Sequence, residues 1–128
     1  MSIRVFSLAA SVIALALTAC ATDTIQAGET RTVKGQVIAP YEIHEECMTL
    51  GTGDRIDYRF EARSLVNFDI RYREGSAVVS TISRDDVREA SGVFLSPLVR
   101  RYCTHWQTGP QGAVIDYQIR VLPATAPR

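Results

Sequence analysis

Arg55-Ile56-Asp57-Tyr58-Arg59-Phe60-Glu61 alternates charge with bulk at every step, and a few residues on the same code returns as Val66-Asn67-Phe68-Asp69-Ile70-Arg71-Tyr72-Arg73. Successive side chains of a β-strand point to opposite faces. Ile56, Tyr58, Phe60, Val66, Phe68, Ile70 and Tyr72 therefore mark a buried face, and the charges between them a solvated one. Glu74-Gly75-Ser76 then supplies a hairpin turn, and Ala77–Ile82 reads as the next strand. Near the C-terminus, Ile115, Tyr117, Ile119 and Val121 alternate with Asp116, Gln118 and Arg120 after a Gly109-Pro110-Gln111-Gly112 turn. Working outward, Thr32–Ile38, Ile43–Leu50 and Leu98–Gln107 are further strands. The last is bulky on both faces (Val99 and Cys103 against Leu98, Tyr102 and Trp106), as a strand central in its sheet is. Asp85–Ala90 is expected to form a single helical turn, capped by Asp85-Asp86. This pattern predicts an all-β fold: one antiparallel β-sandwich, jelly-roll-like, of seven to eight strands.

The start of the chain is of a different kind. A short basic segment (Met1 to Arg4) precedes an apolar core (Val5 to Leu17) and small residues, the three parts of an export signal. About a dozen apolar residues fall short of the roughly 20 a membrane-spanning helix needs. Leu17-Thr18-Ala19-Cys20 resembles the lipobox of bacterial lipoproteins, in which the cysteine sulfur takes a diacylglyceryl group and the freed amine a further acyl chain. That resemblance implies lipidation at Cys20 and an anchor that is nearly permanent, since two or three chains bind far more tightly than one. Ala21 stands where such lipoproteins often carry Asp for inner-membrane retention, so outer-membrane placement facing the periplasm is implied. The other reading is a secretory signal cut near Ala19 or Ala21, leaving a soluble periplasmic protein with a free Cys20. The chain thus divides into a signal peptide (1–19), the lipidated cysteine with a flexible spacer (20–30), a β domain (31–123) and a tail (124–128).

Residues 20–128 suffice for one small domain with one core. Lys and Arg total 14, as do Asp and Glu, and Arg4 lies in the signal, so the remaining chain is close to neutral. A balanced surface argues against nucleic acid or anionic headgroups as partners. With Cys20 carrying lipid, Cys47 and Cys103 are left. In an oxidising compartment they are most simply paired, closing a loop of 56 residues; metal ligation or a reactive thiol pair is the other reading, and no Cys-x-x-Cys is present.

Glu46-Cys47, Tyr58-Arg59-Phe60-Glu61-Ala62, Leu65 to Gly75 and Tyr102-Cys103-Thr104-His105-Trp106-Gln107 together resemble the GOLD (emp24/p24-type) β-sandwich. The likeness lies in an early cysteine, an amphipathic strand pair meeting at a glycine turn, and a late aromatic strand whose cysteine pairs with the first. It covers roughly residues 43–122, with Ser96-Pro97-Leu98 replacing the usual Gly-x-Tyr before the late cysteine. The resemblance implies a cargo- or partner-binding module without catalysis.

Ligand-type side chains concentrate in His44-Glu45-Glu46-Cys47 and Cys103-Thr104-His105. Parity argues against a metal centre: on regular strands His44 and Cys47 point to opposite faces, and a disulfide removes the thiolates. His44, Met48 and His105 are the set that copper would use, on ligand softness. No metal and no cofactor is expected. Hydrolysis is not supported either, because there is no Gly-x-Ser-x-Gly around Ser64, Ser76, Ser91 or Ser96, and the paired carboxylates Glu45-Glu46 and Asp85-Asp86 diverge on a strand. Most aromatics sit in the apolar phase. Tyr102 and Trp106, with His44 and His105, are the candidate ligand or partner surface. The sequence therefore points to a lipid-anchored, non-catalytic binding or structural module with a protein partner in the envelope. The alternative is an inhibitor of an envelope-attacking hydrolase, a lysozyme or protease, acting through a loop at Thr108 to Gly112 or Arg84 to Ser91.

Overall fold

The computed structural model describes residues 24–124; Cys20 and the signal lie outside them. Six strands occur among the described residues: β1 (Thr30–Ile38), β2 (Ile43–Leu50), β3 (Arg55–Glu74), β4 (Ala77–Leu95), β5 (Arg100–Thr108) and β6 (Ala113–Leu122). All pairings between these six strands are antiparallel and belong to one sheet in the order β1-β6-β3-β5-β2, with β4 on the other edge of β3.

The inventory of elements differs from expectation in two places. The strand count is six rather than seven to eight, because the two alternating runs that open the sequence reading are halves of one 20-residue strand, β3. The helical turn expected at Asp85–Ala90 is instead part of β4, which runs for 19 residues. Asp86 there adopts a left-handed φ of 51° in a bulge, and its N–H donates to Asn67 Oδ1 at 2.9 Å. A carboxylate pair that could cap a helix equally well takes up a bulge, where Asp tolerates the left-handed region.

The sheet is creased across its middle. β3 pairs with β6 over 55–62 and with β5 over 66–72, so β5 and β6 succeed one another along the same edge. β1 lies beside β6 and β2 beside β5 in the same way. At the crease Ala62 to Leu65 oppose only Arg88, since Glu61 pairs with Glu89 and Val66 with Val87. Such an excess of residues on one strand bends it. The bend is sharp: eight residues of straight strand would separate Phe60 from Phe68 by about 26 Å, yet their ring centroids are 4.9 Å apart. All the pairing is in one folded sheet, where the sequence reading anticipated two facing sheets.

The folded halves enclose a single core. Trp106 of β5 lies at its centre, edge-on to Phe60 (5.9 Å) and tilted against Phe68 (5.4 Å) and Tyr117 (4.8 Å). Ile56, Ile70, Ile115, Ile119 and Val121 complete it, all fully buried. β5, flanked by β3 and β2, is central as its two bulky faces implied. Cys47 and Cys103 are directly opposed on β2 and β5 and form a disulfide, with Cα atoms 4.0 Å apart. Ile25 to Glu29, inside the stretch read as spacer, lie against the sheet: Ile25 is buried, donates to Cys47 O at 2.9 Å and bridges to Met48, while Gly28 N–H donates to Val121 O.

Two turns close the crease. Thr108 is buried and its hydroxyl donates to Ala39 O at 2.6 Å, while its N–H donates to Glu42 O and Tyr41 N–H donates to Gly109 O. Gly112 packs so closely here that a Cβ would lie 2.7 Å from Ile38 O, and its φ is 62°. Phe68→Ala should remove the ring on which both halves converge and cost about 3–5 kcal/mol of stability in urea unfolding; a loss below about 1 kcal/mol would mean that the bend is not held by that ring.

Candidate functional site

The residues expected to form a ligand surface are divided by the pleat. Trp106 and Tyr102 point inward and are each 1% exposed, so they are core. Their strand left the choice of face open in the sequence, and the folded sheet gives both rings to the interior. His44 faces inward and His105 outward, so the two do not meet, contrary to their grouping in one surface; Met48 is wholly buried.

His44 belongs to a polar cluster between the halves. Glu46 Oε2 accepts from Arg31 Nη1 at 2.6 Å, and Glu46 Oε1 accepts the Tyr117 hydroxyl at 2.6 Å. His44 Nε2 stands 2.9 Å from the Tyr117 oxygen, which places its proton on Nε2. Burial, followed by the bond to Glu46, holds the Tyr117 hydroxyl far above the usual phenol range. Burial works against the Arg31 charge, but Glu46 and then Glu29 outweigh it and raise its pKa. The cluster joins β1, β2 and β6, elements from both sides of the crease.

A second cluster lies on the outer face. His105, nearly fully buried, has Nδ1 3.0 Å from Arg71 Nη2 and 3.2 Å from Asp69 Oδ1, while Arg71 Nη2 donates to Asp69 Oδ2 at 2.9 Å. Ser80 Oγ donates to Asp69 Oδ2 at 2.8 Å. Serine here bonds the carboxylate rather than the imidazole, so the serine–histidine contact of a hydrolase triad is not formed. Glu45 Oε1 is 3.6 Å from His105 Nε2. Glu45 also lies near the two cysteine sulfurs, but both are spent in the disulfide. Glu45 and Glu46 face opposite ways, so they form no acid–base pair.

The recess that sequence reasoning missed is on the outside of the crease. It holds about 480 Å³ and is lined by Tyr41, Leu65, Asn67, Asp86, Arg88 and Gln111 along with the turn at 108–112. Four distant segments build it. Ala39-Pro40-Tyr41-Glu42 is a turn in which Glu42 N–H donates to Ala39 O at 3.2 Å, and Tyr41 takes the left-handed third position with φ 57°. Pro in the second position favours this turn, but the third normally calls for glycine. Tyr41 and Asp86 are the two left-handed non-glycine residues among those described, and both line this recess. The signal available in the sequence was Pro40 followed by Tyr41 instead of glycine. A second groove, about 580 Å³, crosses the outer face of β1, β6, β3 and β4 among charges of both signs, including Arg59, Glu61 and Asp116.

The solved structures that share this fold include the following two. PliG of Aeromonas hydrophila, a periplasmic lysozyme inhibitor of g-type lysozyme, matches with a TM-score of 0.58 and 11% identity over 77% of this chain and 95% of that one. The pre-peptidase C-terminal domain of a Bacillus anthracis collagenase matches with a TM-score of 0.54 and 11% identity over 79% and 96%. No family model matches the chain, and no curated protein is similar to it in sequence.

Burial, ahead of the neighbouring carboxylates for His44 and ahead of Arg71 for His105, holds both imidazoles below their ordinary value of 6.5. The unfolded chain therefore binds more protons below that pH, and stability present above pH 6.5 is lost as the pH falls towards the folded values. The urea midpoint should drop between about pH 7 and pH 5, and the drop should be shallower in the double variant His44→Gln/His105→Gln; equal slopes in both proteins would contradict the assignment.

Proposed function

We propose that the chain is a lipid-anchored envelope protein, held by acyl chains on Cys20 at the outer membrane, facing the periplasm, and acting as a non-catalytic binding module. The observation that carries the binding role is the preformed recess on the crease, bordered by two left-handed residues, one of them an exposed tyrosine whose backbone is strained. Strain of this kind persists where the surrounding structure enforces it and is concentrated at functional positions. The lipobox at Leu17–Cys20 supports the anchor, and the disulfide and the fold shared with a periplasmic protein support an oxidising, extracytoplasmic setting. The two sequestered histidine clusters support a structural rather than catalytic use of those side chains. A GOLD-like partner-binding role is the form of this reading that the two cysteine-bearing strands support.

The second reading, inhibition of an envelope-attacking hydrolase, is favoured by the fold shared with a lysozyme inhibitor. Of its two candidate loops, Arg84 to Ser91 lies within β4, which leaves the turn at Thr108–Gly112 on the rim of the recess.

Cys20→Ser should abolish globomycin-sensitive processing and shift the protein out of the membrane fraction; a variant that still floats with phospholipid vesicles as wild type does would overturn the anchor. Co-purification from solubilised envelopes separates the two roles: a resident envelope component supports the first, and a lysozyme or protease inhibited on mixing supports the second.

A further inference from the structure

We propose that the outside of the crease is a binding site for an uncharged saccharide, with the Tyr41 ring as its stacking platform. Tyr41 is 72% exposed, so burial does not explain its presence. Its backbone is held left-handed in a turn where glycine would relieve the strain. A large side chain kept at an unfavourable φ and in solvent implies a use for the ring itself.

The chemistry of the walls narrows the occupant. Gln111, Gln107 and Asn67 bring planar amides, Ser64 a hydroxyl, and Asp86 and Arg88 one charge of each sign. Such groups donate and accept in fixed planes, which suits adjacent hydroxyls. The charges on the walls cancel, which disfavours a phosphate, a polyanion or a free cation. Leu65, half exposed, adds to the Tyr41 ring an apolar surface for the C–H face of a sugar. About 480 Å³ lies within the roughly 300–1,000 Å³ usual for small-molecule sites. The recess also keeps its shape without a ligand, because Thr108 and Asn67 clamp the turn and the bulge that carry Tyr41 and Asp86.

The proposal rests on the binding-module reading and is independent of the lipid anchor. The test uses the full processed protein in micelles of a zwitterionic detergent without a sugar headgroup, titrated with chitotetraose and with maltotetraose while amide resonances are followed by ¹⁵N–¹H NMR. Saturable shifts at Tyr41, Leu65, Asp86 and Gln111 with either sugar are the expected result. Tyr41→Phe should bind within about threefold of wild type, and Tyr41→Ala should weaken binding about tenfold or more, the loss of one stacking contact. Tyr41→Gly should weaken binding like Tyr41→Ala yet raise the melting temperature, a combination that a purely structural tyrosine would not give. No saturable shift with either sugar, shifts confined to residues away from the crease, or wild-type affinity in Tyr41→Ala would overturn the proposal. A polypeptide that binds at the crease while both sugars are silent would also overturn it and leave the binding-module reading standing.

Discussion

Phe60 and Phe68 touch only because β3 bends between them, and the rest of the molecule is arranged around that contact. Ala62 to Leu65 crowd against one residue of β4, and the strand yields by turning back on itself. β5 and β6 then meet β3 in succession, with the turn at 109–112 at the corner, and β1 and β2 repeat the arrangement one position further out. Trp106 fills the angle so formed. A strand whose alternation would bury only one flat face thereby encloses a core with a single sheet, which a chain this short could not do with a flat one.

Other interactions secure the fold at its margins. The disulfide between β2 and β5 closes a loop of 56 residues and, in the chain-entropy view, contributes about 4 kcal/mol by restricting the unfolded chain. Arg31, Glu46 and Tyr117 tie β1 and β6 to β2 across the opening of the fold, the side opposite in role to the crease. Glu46 is a buried carboxylate with both oxygens engaged, which offsets its desolvation cost. Trp106 departs from that economy: its indole N–H has no hydrogen-bond partner among the described residues.

Period-two alternation made the inner face of β3 and β6 readable residue by residue, because burial and pleat share one rhythm there. Parity in the sequence set His44 apart from Cys47 but left His44 and His105 in one candidate surface, because only the register of β2 against β5 shows that they lie on opposite faces. Continuity was harder to read. Arg63-Ser64 looks like a break between two strands, and only pairing with β4 shows it to be a bulge inside one. Asp85-Asp86 carries the same ambiguity, since the tendency of Asp to leave regular structure serves a cap and a bulge equally. Tyr102 and Trp106 could not be assigned to a face because β5 is bulky on both. The crease recess was illegible for a different reason: residues 41, 65, 86 and 111 come together through tertiary folding, and no local pattern records that.

The structure joins a closely packed interior to an exterior that keeps two left-handed residues, Tyr41 and Asp86, in place. If one creased sheet is the cooperative unit, native-state hydrogen exchange should show it directly. The slowest amides of β1 and β6, on one side of the crease, and those of β2 and β5, on the other, should exchange with the same free energy of opening. Two distinct opening free energies, one for each side, would contradict the dependence of the whole fold on the bend in β3.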